Sequence, residues 1–218
     1  MFNKKFFEWG GIIASVILVA FGITSIVLGV NGRDTVRTNL GQEAIVGSPD
    51  MTPSAIKQEA REAKLPASIS LPTCSVAGQS INTGDEARCF AQYMRIHALE
   101  ATGGYTYAQM GRFQAKPDAP KSALAKGGGT DDPKYALFDP KSQGPMANGA
   151  RNVWVTETAL TTALNTSFMA ERISLFSVVV GMALLLAGIG FGVLTLGGAL
   201  KRWSPKTAVA PRAASITS

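Results

Sequence analysis

An uninterrupted apolar run near the C-terminus constrains this chain more than any other feature of its sequence. Residues 173–200 are 28 consecutive positions without a charged side chain or a proline. A helix needs roughly 20 apolar residues to cross a bilayer core about 30 Å thick, so this run is long enough to span a membrane with some tilt. Lys201, Arg202 and Trp203 follow at once, and such a basic and aromatic boundary is typical of the cytoplasmic end of a spanning helix.

A second apolar run, residues 10–31, follows a short N-terminal tail, residues 1–9, that contains two lysines. The alternative interpretation is a cleaved signal peptide, whose apolar region is normally shorter and ends at a small-x-small site. This run is longer and has no such site at its end, which favours a retained first transmembrane helix. Asn31 and Gly32 predict that this helix ends there.

The distribution of charge indicates how the two spans are oriented. The chain has a formal net charge of +6, of which residues 1–30 and 201–218 together carry +5 and residues 31–172 carry +1. This excess of basic residues in the tails predicts that both termini are cytoplasmic and that residues 32–172 are extracytoplasmic. No cluster of basic and aromatic residues stands out, so no nucleic-acid partner is expected.

The two spans contain small residues and no ionisable ones. The lack of ionisable residues argues against a proton relay or a charge-lined ion path. Small residues would let the antiparallel helices approach closely, although glycine and alanine are also common in spanning helices that do not pair. The candidates are Ser25 with Gly29, Ala183 with Ala187, and Gly188 with Gly192.

The segment between the spans predicts a small, α-rich domain. After an irregular stretch, residues 33–50, a helix is predicted where Thr52 fits the cap and Pro53 the first helical position, and Pro66 ends it. Because its bulky apolar residues are few, this helix is expected to lie on the surface with one shallow contact face.

A second helix of this domain is predicted over residues 85–101. Thr83 and Glu86 have the spacing of a capping box, and a Gly-Gly pair at residues 103–104 marks the stop. Four residues recur at helical spacing and predict one packed face. These are Phe90, Met94, His97 and Ala101.

The remainder of the middle segment divides into a loop and a helix. Residues 114–149 contain five prolines and three consecutive glycines, which predict a long surface loop. Residues 151–172 are predicted to form a helix that continues into the second span as a stalk of about 30 Å. Its threonine-rich face is expected to pack against the domain itself or against another protein. Residues 201–218 are expected to be a disordered cytoplasmic tail.

Cys74 and Cys89 are predicted to form a disulfide. Both lie in the segment assigned to the outside, where disulfides persist. Their bond would close a loop whose stabilising effect is roughly 3 kcal/mol in the chain-entropy model. A pair of reduced, buried thiols is the alternative, and a redox-active pair is disfavoured because the chain lacks a CxxC motif.

The chain shows no convincing catalytic constellation. His97 is the single histidine, and its helical position predicts a packed or rim histidine, with a pH-sensing role as the alternative. A Ser-His-Asp triad would have to use it, yet nothing resembles a nucleophile motif. Two cysteines and one histidine do not make a four-ligand zinc site. We therefore expect no catalytic residue, no bound cofactor and no metal ligand.

Two stretches, residues 95–112 and 153–171, resemble a family of two-pass membrane proteins of actinobacteria, which often carry the label aromatic ring-opening dioxygenase. The resemblance covers most of the chain in layout and implies no activity. The label implies a non-haem iron held by two histidines and a carboxylate. Because the chain has one histidine, a conventional site of that type cannot be built from one copy.

These observations predict a mainly α membrane protein, in which an antiparallel pair of transmembrane helices carries a small, disulfide-stapled extracytoplasmic domain. The leading hypothesis is a non-enzymatic accessory or interaction protein of the cell envelope, within a larger membrane complex. The alternative is a homo-oligomeric channel or sensor, and an external enzyme ranks third. The expected partners are the lipid bilayer and either another membrane protein or a second copy of the chain.

Overall fold

The computed structural model describes residues 4–197 of the chain and is mainly α-helical. The predicted mainly α fold with two long apolar helices is confirmed. The N-terminal three residues, the end of the second apolar run and the whole predicted C-terminal tail lie outside the described residues. The α-helices among those described are α1 (Lys4–Gln42), α2 (Pro53–Glu62), α3 (Gly84–Ala101) and α4 (Gly149–Leu196).

The chain divides into two compact units. The first, the helix-pair unit, comprises Met1–Gly29 and Phe176–Ser218, and the second, the central unit, comprises Val30–Leu175. Helices α1 and α4 are both long and apolar enough to cross a membrane, with mean hydropathy of 2.6 and 2.4 in their most apolar windows.

Glycines bring the two helices of the helix-pair unit into close contact. A Cβ atom added to Gly22 would lie 2.7 Å from the backbone nitrogen of Leu185, and one added to Gly181 would lie 2.7 Å from the carbonyl oxygen of Gly22. The hydroxyl of Ser15 also donates a hydrogen bond of 2.7 Å to the carbonyl oxygen of Gly188. The helices are therefore antiparallel and approach backbone to backbone at these positions.

The small residues predicted for this contact are only partly the ones used. Gly29 and Gly188 are buried, as expected. Ala183 and Ala187 are exposed, so their place in the predicted contact is wrong. Neither Gly22 nor Gly181 was among the predicted pairs. A small-xxx-small pattern within one helix does not indicate which residues of the other helix lie opposite it.

Helix α1 does not end at Asn31 and Gly32, so the predicted stop is wrong. It continues to Gln42, through most of the stretch predicted to be irregular. Tertiary contacts explain the difference. A Cβ atom on Gly32 would lie 2.6 Å from the Ser174 hydroxyl, so a glycine permits close approach to α4, and Leu40 is buried in the core further along.

Glu171 connects three helices of the central unit. Its carboxylate accepts hydrogen bonds from Arg33 Nε at 2.9 Å and from the backbone N–H of Gly84 at 2.6 Å, and Arg37 Nε lies 3.7 Å away. Burial by itself would raise the pKa of Glu171, but the hydrogen bonds from Arg33 and Gly84, with the charges of both arginines, outweigh burial and hold the pKa below its usual 4.5. Glu171 precedes the predicted second span.

The caps of α2 and α3 are those that the sequence predicts. The Thr52 hydroxyl accepts a hydrogen bond from the N–H of Ala55, and Thr83 with Glu86 forms a complete capping box. Helix α2 is less superficial than expected, because Ile56 is fully buried. The packed face of α3 also differs from the prediction, since Ala101 is exposed. Its large buried apolar side chains are Phe90, Tyr93, Ile96 and Leu99.

The long loop after α3 folds back on itself. It contains the antiparallel pair β1 (Phe138–Asp139) and β2 (Gly144–Pro145). Phe113 and Thr130 exchange two backbone hydrogen bonds of 2.9 Å each, and Gly127 N–H donates to the carbonyl of Gln109. Single turns of 3-10 helix occur at Tyr107–Gln109, Lys121–Ala123 and Pro133–Tyr135.

Helix α4 is continuous from Gly149 to Leu196, which confirms that the helix beginning near residue 151 continues into the second apolar run. In the central unit one face of α4 is buried, including Trp154 and Leu164. The indole N–H of Trp154 donates a hydrogen bond of 2.8 Å to the carbonyl of Tyr105. This part of α4 is therefore packed against its own domain along one face.

Candidate functional site

Cys74 and Cys89 form a disulfide, as predicted, with their Cα atoms 6.1 Å apart. Cys89 lies in the second turn of α3, and Cys74 lies in the turn-rich segment before that helix. The hydroxyl of Tyr93 donates a hydrogen bond of 2.6 Å to the Cys74 carbonyl. The disulfide and this hydrogen bond together fix the preceding segment against α3.

The most distinctive side-chain arrangement is a cluster of Asp50, Glu59 and His97. Asp50 lies just before the cap of α2, Glu59 lies on α2, and His97 lies on α3. His97 Nε2 is 3.4 Å from Asp50 Oδ2 and 3.7 Å from Glu59 Oε2. One nitrogen or oxygen atom from each of the three side chains lies within 4.8 Å of the other two.

The interior atoms of this cluster are shielded from solvent although the side chains are only half-buried. The side chains of His97 and Glu59 are each 25% exposed. Nevertheless, His97 Nε2, Glu59 Oε2 and Asp50 Oδ1 are inaccessible and have no hydrogen-bond partner. Leaving a buried polar atom unsatisfied costs roughly 1–3 kcal/mol, so three such atoms in one place call for an explanation.

The surroundings of the cluster are acidic. The pKa of Glu59 is raised by burial first and by the charge of Asp50 second, and Glu100 and Glu62 act in the same direction while His97 opposes them. The pKa of Tyr93 is raised by burial and then by Asp50. The local field therefore favours a positive charge in this part of the domain.

The sequence predicts none of this cluster. His97 is expected there to be a packed or rim histidine, and no metal ligand is expected, whereas the structure places His97 beside two carboxylates. One signal was present on α2, where Glu59 lies three residues after the buried Ile56 and next to Ala60, on the same helical face. The missing information was that this face packs against the His97 side of α3.

No protein-family model, curated protein or solved structure matches this chain. The geometry and donor atoms of the cluster therefore indicate what it can bind. An imidazole nitrogen and two carboxylates within contact of one another are groups that hold either a proton or a cation.

A second feature lies on the exposed face of α4, opposite the buried Leu164. Every exposed residue of α4 from Asn152 to Met169 is uncharged. We call five of them, which lie along one line of the helix in steps of four, three, four and three positions, the α4 stripe. Val155 is 55% and Met169 is 62% exposed. The stripe consists of Val155, Ala159, Thr162, Thr166 and Met169.

An apolar hollow of about 490 Å³ adjoins the N-terminal part of the α4 stripe. It is lined by Tyr107, Trp154 and Thr158 together with Val155, Ala159 and Thr162 of the stripe. A concave apolar surface with aromatic side chains beside a helical stripe is the form that a helix-binding site takes.

Proposed function

We propose that this chain is a two-pass integral membrane protein of the cell envelope that binds a helix of another membrane protein through its central unit. In this proposal it is a non-enzymatic accessory subunit, with both termini cytoplasmic and residues 32–172 outside. Residues 151–172 form the outward extension of the second span. The observation that carries the proposal is the α4 stripe.

The membrane assignment is supported by where the apolar side chains point. Large apolar residues on both helices of the helix-pair unit are strongly exposed, including Val16 at 62%, Phe21 at 64% and Leu186 at 70%. In water, exposed apolar surface costs about 25 cal/mol per Å² relative to burial. A lipid environment removes that cost.

The orientation is supported by two independent features. The two short tails hold six basic residues, whereas the segments just inside the spans hold Arg33, Arg37 and Arg172, and the positive-inside rule favours the cytoplasm for the more basic ends. The disulfide between Cys74 and Cys89 belongs to an oxidising compartment, since disulfides are rare in the cytosol. Both features support a central unit that lies outside the cytoplasm.

The spacing of the α4 stripe fits a helix as its occupant. Alternating steps of three and four residues keep one face of a helix in contact with a second helix along a left-handed crossing. Alanine and threonine within the stripe permit close approach and offer hydroxyl groups for hydrogen bonds between helices. Because α4 continues into an apolar run, a partner helix that likewise extends outward from its own span fits this surface best.

Site-specific photocrosslinking in intact cells tests the proposal. A photoreactive amino acid at Ala159 or Thr162 of the α4 stripe is expected to give one dominant adduct. Mass spectrometry should map that adduct to a helix of the partner that extends out of the membrane beside α4. Thr156 and Asn165 are matched controls, because both are exposed on α4 but lie off the stripe, and they should give little of this adduct.

Two outcomes would count against this function. Equal adducts at stripe and control positions would show that the stripe is not an interface. A stripe adduct between two copies of this chain would instead support the homo-oligomeric channel or sensor. Conductance measurements on the purified protein would then distinguish a channel from a sensor.

A further inference from the structure

The two distances from His97 Nε2 to the carboxylates of Asp50 and Glu59 are close to those between ligands of one metal ion. Ligands bound at 2.0–2.2 Å around a tetrahedral ion lie roughly 3.3–3.6 Å from one another. His97 Nε2 lies 3.4 Å from Asp50 Oδ2 and 3.7 Å from Glu59 Oε2. Both contacts are within ion-pairing distance, but neither is a hydrogen bond, because His97 Nε2 and Glu59 Oε2 have no hydrogen-bond partner.

The charge of the cluster also fits a divalent cation. Two carboxylates and a neutral imidazole carry a charge of −2, which one divalent ion would neutralise. The other charges that act on Glu59, those of Glu62 and Glu100, are negative as well. A bound cation would give a partner to the inaccessible oxygen and nitrogen atoms and remove the repulsion between Asp50 and Glu59.

We propose that Asp50, Glu59 and His97 bind one divalent transition-metal ion, which links the start of α2 to α3. Imidazole favours zinc and its neighbours in the first transition row, whereas Mg²⁺ and Ca²⁺ prefer sites made entirely of oxygen atoms. The mixed donor set, one nitrogen and two oxygens, is one that Zn²⁺ accepts, with a fourth position left for water or another ligand.

This site differs from the one that the dioxygenase label implies, because it uses one histidine and two carboxylates rather than two histidines and one carboxylate. It is also independent of the proposed docking function, since neither the α4 stripe nor its hollow includes a residue of the cluster. The metal site and the partner site can therefore be tested separately, and a negative result for one leaves the other unaffected.

A metal titration of the full-length protein tests the proposal. The protein is purified in detergent without an affinity tag that binds metals and without a reducing agent, stripped with a chelator, and titrated with Zn²⁺ in competition with a chromophoric chelator. We expect one Zn²⁺ ion per chain. Since the loss even of a residue that orients a ligand costs about 10- to 100-fold in affinity, Glu59→Gln and His97→Ala should each weaken binding by at least about 100-fold.

Glu62→Gln is the matched control, because Glu62 is an exposed residue on the same helix. Its affinity for Zn²⁺ should stay within about threefold of the wild-type value. Glu59→Gln keeps the shape of the side chain, so its folded state can be verified by the intact disulfide and a cooperative melt in chelator. Zn²⁺ should raise the melting temperature of the wild type and of Glu62→Gln, but not that of Glu59→Gln.

Three results would overturn the metal site. The first is wild-type protein that binds no stoichiometric Zn²⁺. The second is binding that survives in both Glu59→Gln and His97→Ala, which would place the ion elsewhere. The third is stabilisation by Ca²⁺ or Mg²⁺ but not by Zn²⁺, which would contradict the choice of a transition metal.

Discussion

Glu171 shows how a single buried carboxylate can organise three helices. Its side chain is 12% exposed, whereas that of Arg33 is 46% exposed, so the ion pair is partly screened by solvent while the hydrogen bond from Gly84 N–H is buried. Gly84 is required at that point, because a Cβ atom there would lie 2.7 Å from the Cα atom of Phe168. Helix α3 therefore begins in direct contact with α4.

Replacement of this carboxylate should destabilise the central unit. Glu171→Gln keeps the shape of the side chain but removes the charge that holds Arg33 and Gly84, and we expect a loss of about 2 kcal/mol in the free energy of unfolding. Chemical denaturation of the full chain in detergent, followed by tryptophan fluorescence, measures this loss. Glu62→Gln, on an exposed surface, should change stability by less than about 0.5 kcal/mol, and equal effects of the two variants would contradict this role for Glu171.

The same residue predicts how stability depends on pH. The pKa of Glu171 is lower in the folded protein than its usual 4.5, so the unfolded chain binds this proton more tightly. The stability that the ionised Glu171 contributes is complete above the unfolded-state pKa. It is lost as the pH falls through the lower, folded-state pKa. Melting temperatures measured between about pH 6 and pH 3 should therefore fall more steeply for wild type than for Glu171→Gln. Parallel curves would show that Glu171 does not contribute to acid sensitivity.

At the scale of elements, local sequence signals predict a helix end correctly where neighbouring residues stabilise it. They fail where contacts with a distant helix stabilise the structure. Thr83 and Glu86 predict the start of α3 within one residue, because the capping box is made by adjacent residues. Asn31 and Gly32 predict a helix stop that does not occur. There the contact between Gly32 and Ser174 and the ion pair of Arg33 with Glu171 favour continued helix, and no local pattern reports them.

The helix pair depends on glycine at specific positions of α4. Gly181→Val would place a side chain against the backbone of Gly22 and Ile26, so the helices must separate, and we expect a loss of about 1–3 kcal/mol. Gly190→Val is the matched control on the same helix, because a Cβ atom there meets nothing within 4 Å. Thermal unfolding in detergent should show a lower midpoint for Gly181→Val alone. An equal effect of the two variants would contradict the pairing.

At the scale of the whole molecule, the sequence predicts the general layout but not the candidate site. The two apolar helices and the disulfide were predictable, because run length and cysteine number are properties of the sequence itself. The site combines Asp50, Glu59 and His97, which lie in three separate segments, and they meet only because α2 packs on α3. Single residues with ordinary roles in isolation thus become a candidate metal centre through tertiary contact.

Lysine labelling of intact cells tests the central claim, that two spans hold a folded unit outside the cytoplasm. A membrane-impermeant amine reagent should modify Lys57 and Lys64, which are exposed in the central unit, and spare the lysines of the two tails until the cells are lysed. Mass spectrometry of the unreduced sample detects the labelling of the central and tail lysines and the Cys74–Cys89 bond together. The tail lysines are Lys4, Lys5, Lys201 and Lys206.

Labelled central lysines, protected tail lysines and an intact disulfide are the result that this topology predicts. Protected central lysines together with labelled tail lysines would contradict it. Both cysteines as free thiols in the cell would contradict it as well.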